Sequence, residues 1–244
     1  TDSQTGIPVG KDPDFPHYRS NPEDQTDYVL GNMEKCAQAA GTTLQNAIKS
    51  QLYHVDRNDF HDIDKVWKGY MNVPPPRSAM EIKGLMVPGA LMTANLISLI
   101  PDSKHQKKEI LYTDQFHPSM RTVHFSPAIE AGDWLFFAGQ VATDFKTPVF
   151  GTHPKMPHYG IDIEIQAEFV MKNLKELLEH CGATLDDVVV SHIYPLNARA
   201  DYRGFERAYK KFIPHNPPAM TVIPSTGIMM FGPMVEIDFI AYKG

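Results

Sequence analysis

Apolar positions along this chain follow a helical rhythm in some stretches and an extended one in others, and the sequence of rhythms occurs twice. Thr1 to Asp24 is polar and rich in Pro, Gly and Asp, and reads as loop. Val29, Met33, Cys36 and Ala40 then fall four, three and four residues apart, which lines one face of a helix. Gly41 follows as a C-terminal cap. Ala47 to Val55 reads as a strand. Asp59 fits the N-cap of a second helix, with Phe60, Ile63, Trp67 and Tyr70 on its buried face. Pro74, Pro75 and Pro76 cannot continue a helix, because proline lacks the donor and its ring crowds the preceding turn. They feed an extended segment, Ser78 to Ile82, with Arg77 at its start. Leu91 to Ile100 is a further apolar strand.

The second half repeats this order. Val123 to Ser126 and Trp134 to Ala138 read as a hairpin around a turn containing Ala131, Gly132 and Asp133. Val170, Leu174, Leu177 and Cys181 again run four, three, four, and Gly182 again caps. Val188 to Leu196 is a strand. Asp201 opens a helix with Tyr202, Phe205, Tyr209 and Phe212 on one face. Pro217 and Pro218 precede Thr221 to Ile223, and Val235 to Tyr242 closes the chain with Glu236 and Asp238 alternating against apolar neighbours.

The correspondences are specific. Gly41-Thr42-Thr43-Leu44 answers Gly182-Ala183-Thr184-Leu185, Asp59-Phe60 answers Asp201-Tyr202, and Thr1-Asp2 answers Thr143-Asp144, all about 142 residues apart. That period is too long for a solenoid and points to a duplicated domain. The expected division is 1–100 and 121–244, joined by a charged linker over 101–120 that carries Lys104, Lys107 and Lys108. Each copy mixes strands with amphipathic helices, an α+β unit with helices on one face of a sheet. The second copy has a hairpin, Val123 to Ala142, with no counterpart in the first, which begins at Thr1. The expectation is that a separate chain, a partner or a piece cut from a precursor supplies the missing strands.

Composition narrows the function classes. The 244 residues are 42% hydrophobic and 21% charged, ordinary for a globular protein. The longest apolar run, Trp134 to Ala138, falls far short of the roughly 20 residues a spanning helix needs, and no signal-peptide pattern opens the chain. A net charge of −6 argues against a broad phosphate-binding surface, so nucleic acid is not the expected partner. Two cysteines, Cys36 and Cys181, make no disulfide framework and fit a cytoplasmic location. Of the eleven histidines, His117, His124, His153 and His158 gather near the start of the second copy. None has a metal-ligand spacing, so neither a metal nor a cofactor is expected.

Ala131-Gly132-Asp133-Trp134-Leu135-Phe136-Phe137-Ala138-Gly139-Gln140, the helix through Asn173 and Leu174 ending at Gly182, and the strands after each proline pair resemble the RidA/YjgF family, also called the L-PSP endoribonuclease family. The resemblance covers 123–244 fully and 1–100 as a copy without its opening hairpin. It implies two chorismate-mutase-like domains, packing in threes within a homo-oligomer, with ligand sites in clefts between neighbouring domains. It also implies enamine or imine hydrolysis to a ketoacid and ammonia. In active members an arginine after the proline pair binds the substrate carboxylate and a glutamate in the last strand helps to activate water. Carried over by position, Arg77 matches the arginine and Met220 replaces it in the second copy. Glu236 matches the glutamate and Thr93 replaces it in the first. Ala138 stands for a serine found in many members, and Phe125 for a tyrosine.

The residues therefore suggest a composite site, with Arg77 as a forked carboxylate binder from one domain and Glu236 as the proton-handling group from a neighbour. Arg77 could instead be a structural ion pair and Glu236 a solvent-facing strand residue. Asp64 and Glu206, at matching helix positions, read as surface groups. Thr1 raises a separate expectation: an N-terminal threonine can act as a nucleophile with its own amine as base, exposed by self-processing. The expected function is cofactor-free hydrolysis of a small carboxylated C–N substrate, by an enamine/imine deaminase or an amide hydrolase. A non-catalytic metabolite-binding module is the alternative, and a ribonuclease the third reading.

Overall fold

A computed structural model describes residues 21–87, 89–111, 124–143, 162–229 and 232–244. Helix α1 spans Pro22–Ala39, three residues earlier than its apolar spacing suggests. Asn21 caps it by accepting a hydrogen bond from the Asp24 backbone N–H at 2.8 Å, and Pro22 fits the first turn, where its missing donor costs nothing. Strand β1, Ala47–His54, follows. A short 3₁₀ turn over Arg57–Asp59 leads into α2, Phe60–Tyr70. Asp59 takes the N-cap position but makes no capping bond; the side-chain cap one turn earlier is Asp56, accepting from the Asn58 N–H at 2.8 Å. β2, Arg77–Glu81, lies parallel to β1, and β3, Met92–Ser98, runs antiparallel on its other side.

The expected linker is partly structured. Lys107–Ile110 forms β4 and pairs antiparallel with β5, Ala128–Ala131. Its charged residues hid a half-buried strand, with Lys108 exposed, at a sheet edge where polar side chains are normal. The hairpin is β5 with β6, Trp134–Phe137, so its first strand lies later than Val123–Ser126. Gly132 makes the turn at a φ of +63°, which a β-carbon would strain. β7, Gln140–Val141, continues the chain. Then come α3, Ile163–His180, β8, Val188–Pro195, and α4, Ala198–Phe212. β9, Ala219–Val222, the two-residue β10, Gly227–Ile228, and β11, Val235–Tyr242, complete the described strands.

Two sheets result. One has the order β10-β2-β1-β3, the other β4-β5-β6-β11-β8-β9, with β7 also paired to β11. The elements α1-β1-α2-β2-β3 and α3-β8-α4-β9-β11 repeat one connectivity: a parallel pair with a helical crossover, then an antiparallel return. The registers align the two sets residue by residue. Arg77 pairs with Ser50 where Met220 pairs with Ser191, and Thr93 pairs with Tyr53 where Glu236 pairs with Tyr194.

Each sheet buries one face under its own helices. Leu52, Phe60, Ile63, Trp67, Ala79 and Met92 belong to the first core, and Leu135, Val170, Leu174, Phe205, Ile237 and Phe239 to the second. The other faces meet each other through a third cluster of Ile48, Ile129, Ala131, Phe136 and Ile240. A register shift between Ala47 and Lys49 in β1 is a bulge, and it turns Ile48 and Lys49 both toward this seam. Strand β10 crosses from the second half to pair with β2, which ties the strand carrying Arg77 to the other half.

Candidate active site at the seam

Alternation along β11 sends Val235, Ile237, Phe239 and Ala241 into the helix-side core. Glu236 and Asp238 therefore leave the opposite face, as their pattern indicated. That face is not solvent, however: Glu236 is only 5% exposed and Asp238 is fully covered, because the first sheet lies over them. Glu236 is thus not the solvent-facing strand residue its alternation allowed. A one-sided strand pattern names the polar face without revealing that a second sheet covers it.

Asp238 is the anchor of a buried polar network. Its Oδ1 lies 3.0 Å from Lys49 Nζ and 2.9 Å from His192 Nδ1, and its Oδ2 accepts from Ser78 Oγ at 2.5 Å and from Tyr194 OH at 3.3 Å. Lys49 Nζ also donates to the Phe137 carbonyl at 2.7 Å. Gln51 Nε2 donates to Tyr194 OH at 2.5 Å. Burial by itself would raise the Asp238 carboxyl, but Lys49 and the bonds from His192 and Ser78 outweigh it and hold the group below the usual carboxylate range. So Asp238 is ionised, and Lys49 is its counter-charge across the two halves.

Glu236 behaves oppositely. Burial, then repulsion from Asp238, push its carboxyl up to about 8, against the pull of Lys49, the Ala79 backbone N–H and Arg77. Two carboxylates two residues apart on one strand face cannot both ionise cheaply, and the better-paired one takes the charge. Glu236 lies tightly against Gly139: a β-carbon there would stand 1.8 Å from Glu236 Oε1. The Gly139 N–H in turn donates to the Arg77 carbonyl at 3.1 Å. The turn after β6 thus brings the second half's carboxyl to the backbone of the first half's β2.

Arg77 is 5% exposed, and its side chain leaves β2 on the face opposite Ser78, toward α2. Its guanidinium carbon lies 4.9 Å from the Phe60 ring centroid and 5.3 Å from that of Trp67. Nη2 donates to Asp64 Oδ1 at 2.6 Å, whereas Nη1 is buried without a hydrogen-bond partner. Asp64 is therefore no surface group, a correction to the sequence expectation: it is 4% exposed and held by Arg77, by Lys68 at 3.3 Å and by the His124 backbone N–H at 3.3 Å. Helical spacing put Asp64 between Phe60 and Trp67 on the buried face, which is the signal that reading passed over. Glu206, in contrast, is half-exposed and pairs with Lys210.

The structure thus brings Arg77 and Glu236 close enough for each charge to shift the other. Thr1, His117, His153 and His158 lie outside the described residues. Among the described residues no group of three or more His, Cys, Asp or Glu could hold a metal ion, and no helix is long and apolar enough to cross a membrane. Sequence reasoning missed Lys49. Its signal was a lysine inside an otherwise apolar-edged strand, where the register of the second half has Val190.

The model of the Endoribonuclease L-PSP family matches residues 7–99 and 118–243, and the chain belongs to that family. A RutC family protein of Saccharolobus solfataricus is 32% identical over 136 residues, covering 56% of this chain and 98% of that protein. A 3-aminoacrylate deaminase, RutC, of Acinetobacter baylyi is 26% identical over 135 residues, covering 55% and 98%. Among solved structures, a putative endoribonuclease L-PSP from Entamoeba histolytica is 26% identical, covers 56% of this chain and 99% of its own, and has a TM-score of 0.46.

Proposed function

We propose that the chain is a cofactor-free deaminase that hydrolyses a small carboxylated enamine or imine at the seam between its two halves, here taken as the units 1–100 and 121–244. One observation carries this: Glu236 is a buried carboxyl pushed up to about 8, within electrostatic reach of Lys49 and Arg77 of the first half. A carboxylic acid that keeps its proton at neutral pH can work as a general acid and, once spent, as a base. The likeness to a 3-aminoacrylate deaminase supports the same chemistry.

Glu236 gives its proton to the enamine carbon, leaving an iminium. The carboxylate then takes a proton from water as its oxygen adds to the iminium carbon. Glu236 next protonates the nitrogen of the carbinolamine, ammonia leaves, and the hydroxyl proton of the nascent carbonyl returns to the carboxylate. Enamine and water become carbonyl compound and ammonia, and the enzyme ends as it began. Arg77 orients the substrate through its acidic group.

The test is ammonia release from 3-aminoacrylate-type enamines by wild type, Glu236→Gln and Arg77→Ala. Glu236→Gln should lower kcat by about 100-fold or more, the ordinary range for losing a general acid–base group. The wild-type rate should fall as pH rises through about 8, because the protonated form is the one that starts the reaction. Turnover unaffected by Glu236→Gln would refute the assignment. Deep burial of both Arg77 and Glu236 favours a second reading, a metabolite-binding module. Arg77-dependent binding with no ammonia release from any compound would establish that one instead.

A further inference from the structure

Arg77 carries a fork of donors, and the protein fills one prong itself. Nη2 is taken by Asp64 at 2.6 Å, and the carboxylate is held in place by Lys68 and the His124 N–H. Phe60 and Trp67 fix the guanidinium plane, so the fork cannot swing away from Asp64. Nη1 is buried and has no hydrogen-bond partner. The charges near it are Asp64, Lys68 and Glu236, with His54 and His124, both lowered by burial, also in reach. Asp64 cancels the guanidinium charge, and Lys68 is half-exposed and screened by water.

We propose that Asp64 is the specificity-determining residue of this site: it occupies Nη2 and cancels the guanidinium charge, so that the ligand is met at Nη1 and a carboxylate gains little over a neutral acceptor oxygen. The substrate class then includes neutral amides and carbonyl compounds beside carboxylates. A free guanidinium prefers a carboxylate, because two parallel charge-assisted bonds form at once. An arginine that already holds a carboxylate gains less charge-assisted stabilisation from a second, and the two anions repel.

This inference rests on Arg77 being the ligand donor, and its test is binding rather than turnover, so it stands or falls separately from the deaminase chemistry. Calorimetric titrations with propionate and propionamide, which match in shape and differ in charge, use wild type, Asp64→Asn and Arg77→Met. Wild type should bind the two within about threefold of each other, and Arg77→Met should lose both. Asp64→Asn, which keeps the shape and frees the fork, should move the preference toward propionate by about tenfold or more, since its buried arginine then lacks a counter-ion. Propionate should also raise the melting temperature of Asp64→Asn more than that of wild type. A wild-type preference for propionate above about tenfold overturns the proposal even if the variant fails to fold. So does an unchanged preference in a folded Asp64→Asn, or no Arg77-dependent binding of either compound.

Discussion

Glu236 and Asp238 show how two like residues on one strand face acquire opposite roles. Asp238 meets four donors and keeps its charge; Glu236 meets fewer and keeps its proton. The difference has a measurable sign. The folded protein holds the Glu236 proton to about pH 8, whereas an unfolded chain releases it near 4.5. The stability this contributes is full below that lower value and is lost as pH rises to about 8. Asp238 works in reverse, its contribution vanishing as pH falls below 3.8. From about pH 5 to about pH 9 the urea midpoint of wild type should fall relative to that of Glu236→Gln, the other buried groups titrating alike in both, with the gap between the curves widening as pH rises. Parallel curves would mean that Glu236 ionises normally. At this scale Arg77 and Glu236 were named through the resemblance to the RidA/YjgF family, carried over by position. The sequence could not show Asp64 or Lys49 as partners, because both contacts depend on which faces are brought together in three dimensions.

Elements were legible wherever one face was apolar and the other polar. The spacing of α3, the capping glycines at 41 and 182, and the bounds of β11 followed from that contrast. In α1, however, Val29 and Met33 are buried but Cys36 and Ala40 are exposed, the buried face running through Leu30 and Ala37 instead. Strands β7 and β10 were missed, since two residues hold no pattern to read, and β4 because its residues are mostly charged. The most demanding local fit is the turn after β6. Gly139 has no room for a side chain, because Glu236 fills the space a β-carbon would need. Gly139→Ala should cost about 1–3 kcal/mol in a denaturant titration, the usual range for overpacking. Adding Glu236→Ala should recover part of that loss, because the clash is with this side chain. An additive double variant would place the strain elsewhere.

For the whole molecule, the seam joins the halves by an apolar cluster, a buried Lys49–Asp238 pair and the β10 crossing. The two tryptophans report on opposite halves, Trp67 from the first core and Trp134 from β6. Unfolding followed by fluorescence of Trp67→Phe and of Trp134→Phe should give coincident transitions, because opening the seam strands buried charges. Well-separated midpoints would show that each half stands without the other. The doubling of the fold could be read from the sequence, since helix spacing and caps recur. The facing of the two sheets could not, because nothing in either copy alone says what its polar face meets.

The Lys49–Asp238 pair also bears on mating preference. By register, the first half has the lysine but an amide, Asn95, where the second has its aspartate, and the second half has the aspartate but Val190 in place of the lysine. Two first halves joined in this way would bury a lysine with no anion, and two second halves an aspartate with no lysine. Expressed apart, the halves would each reject their own kind at this surface and choose the other, so the seam encodes an unlike pairing that neither half could satisfy with itself.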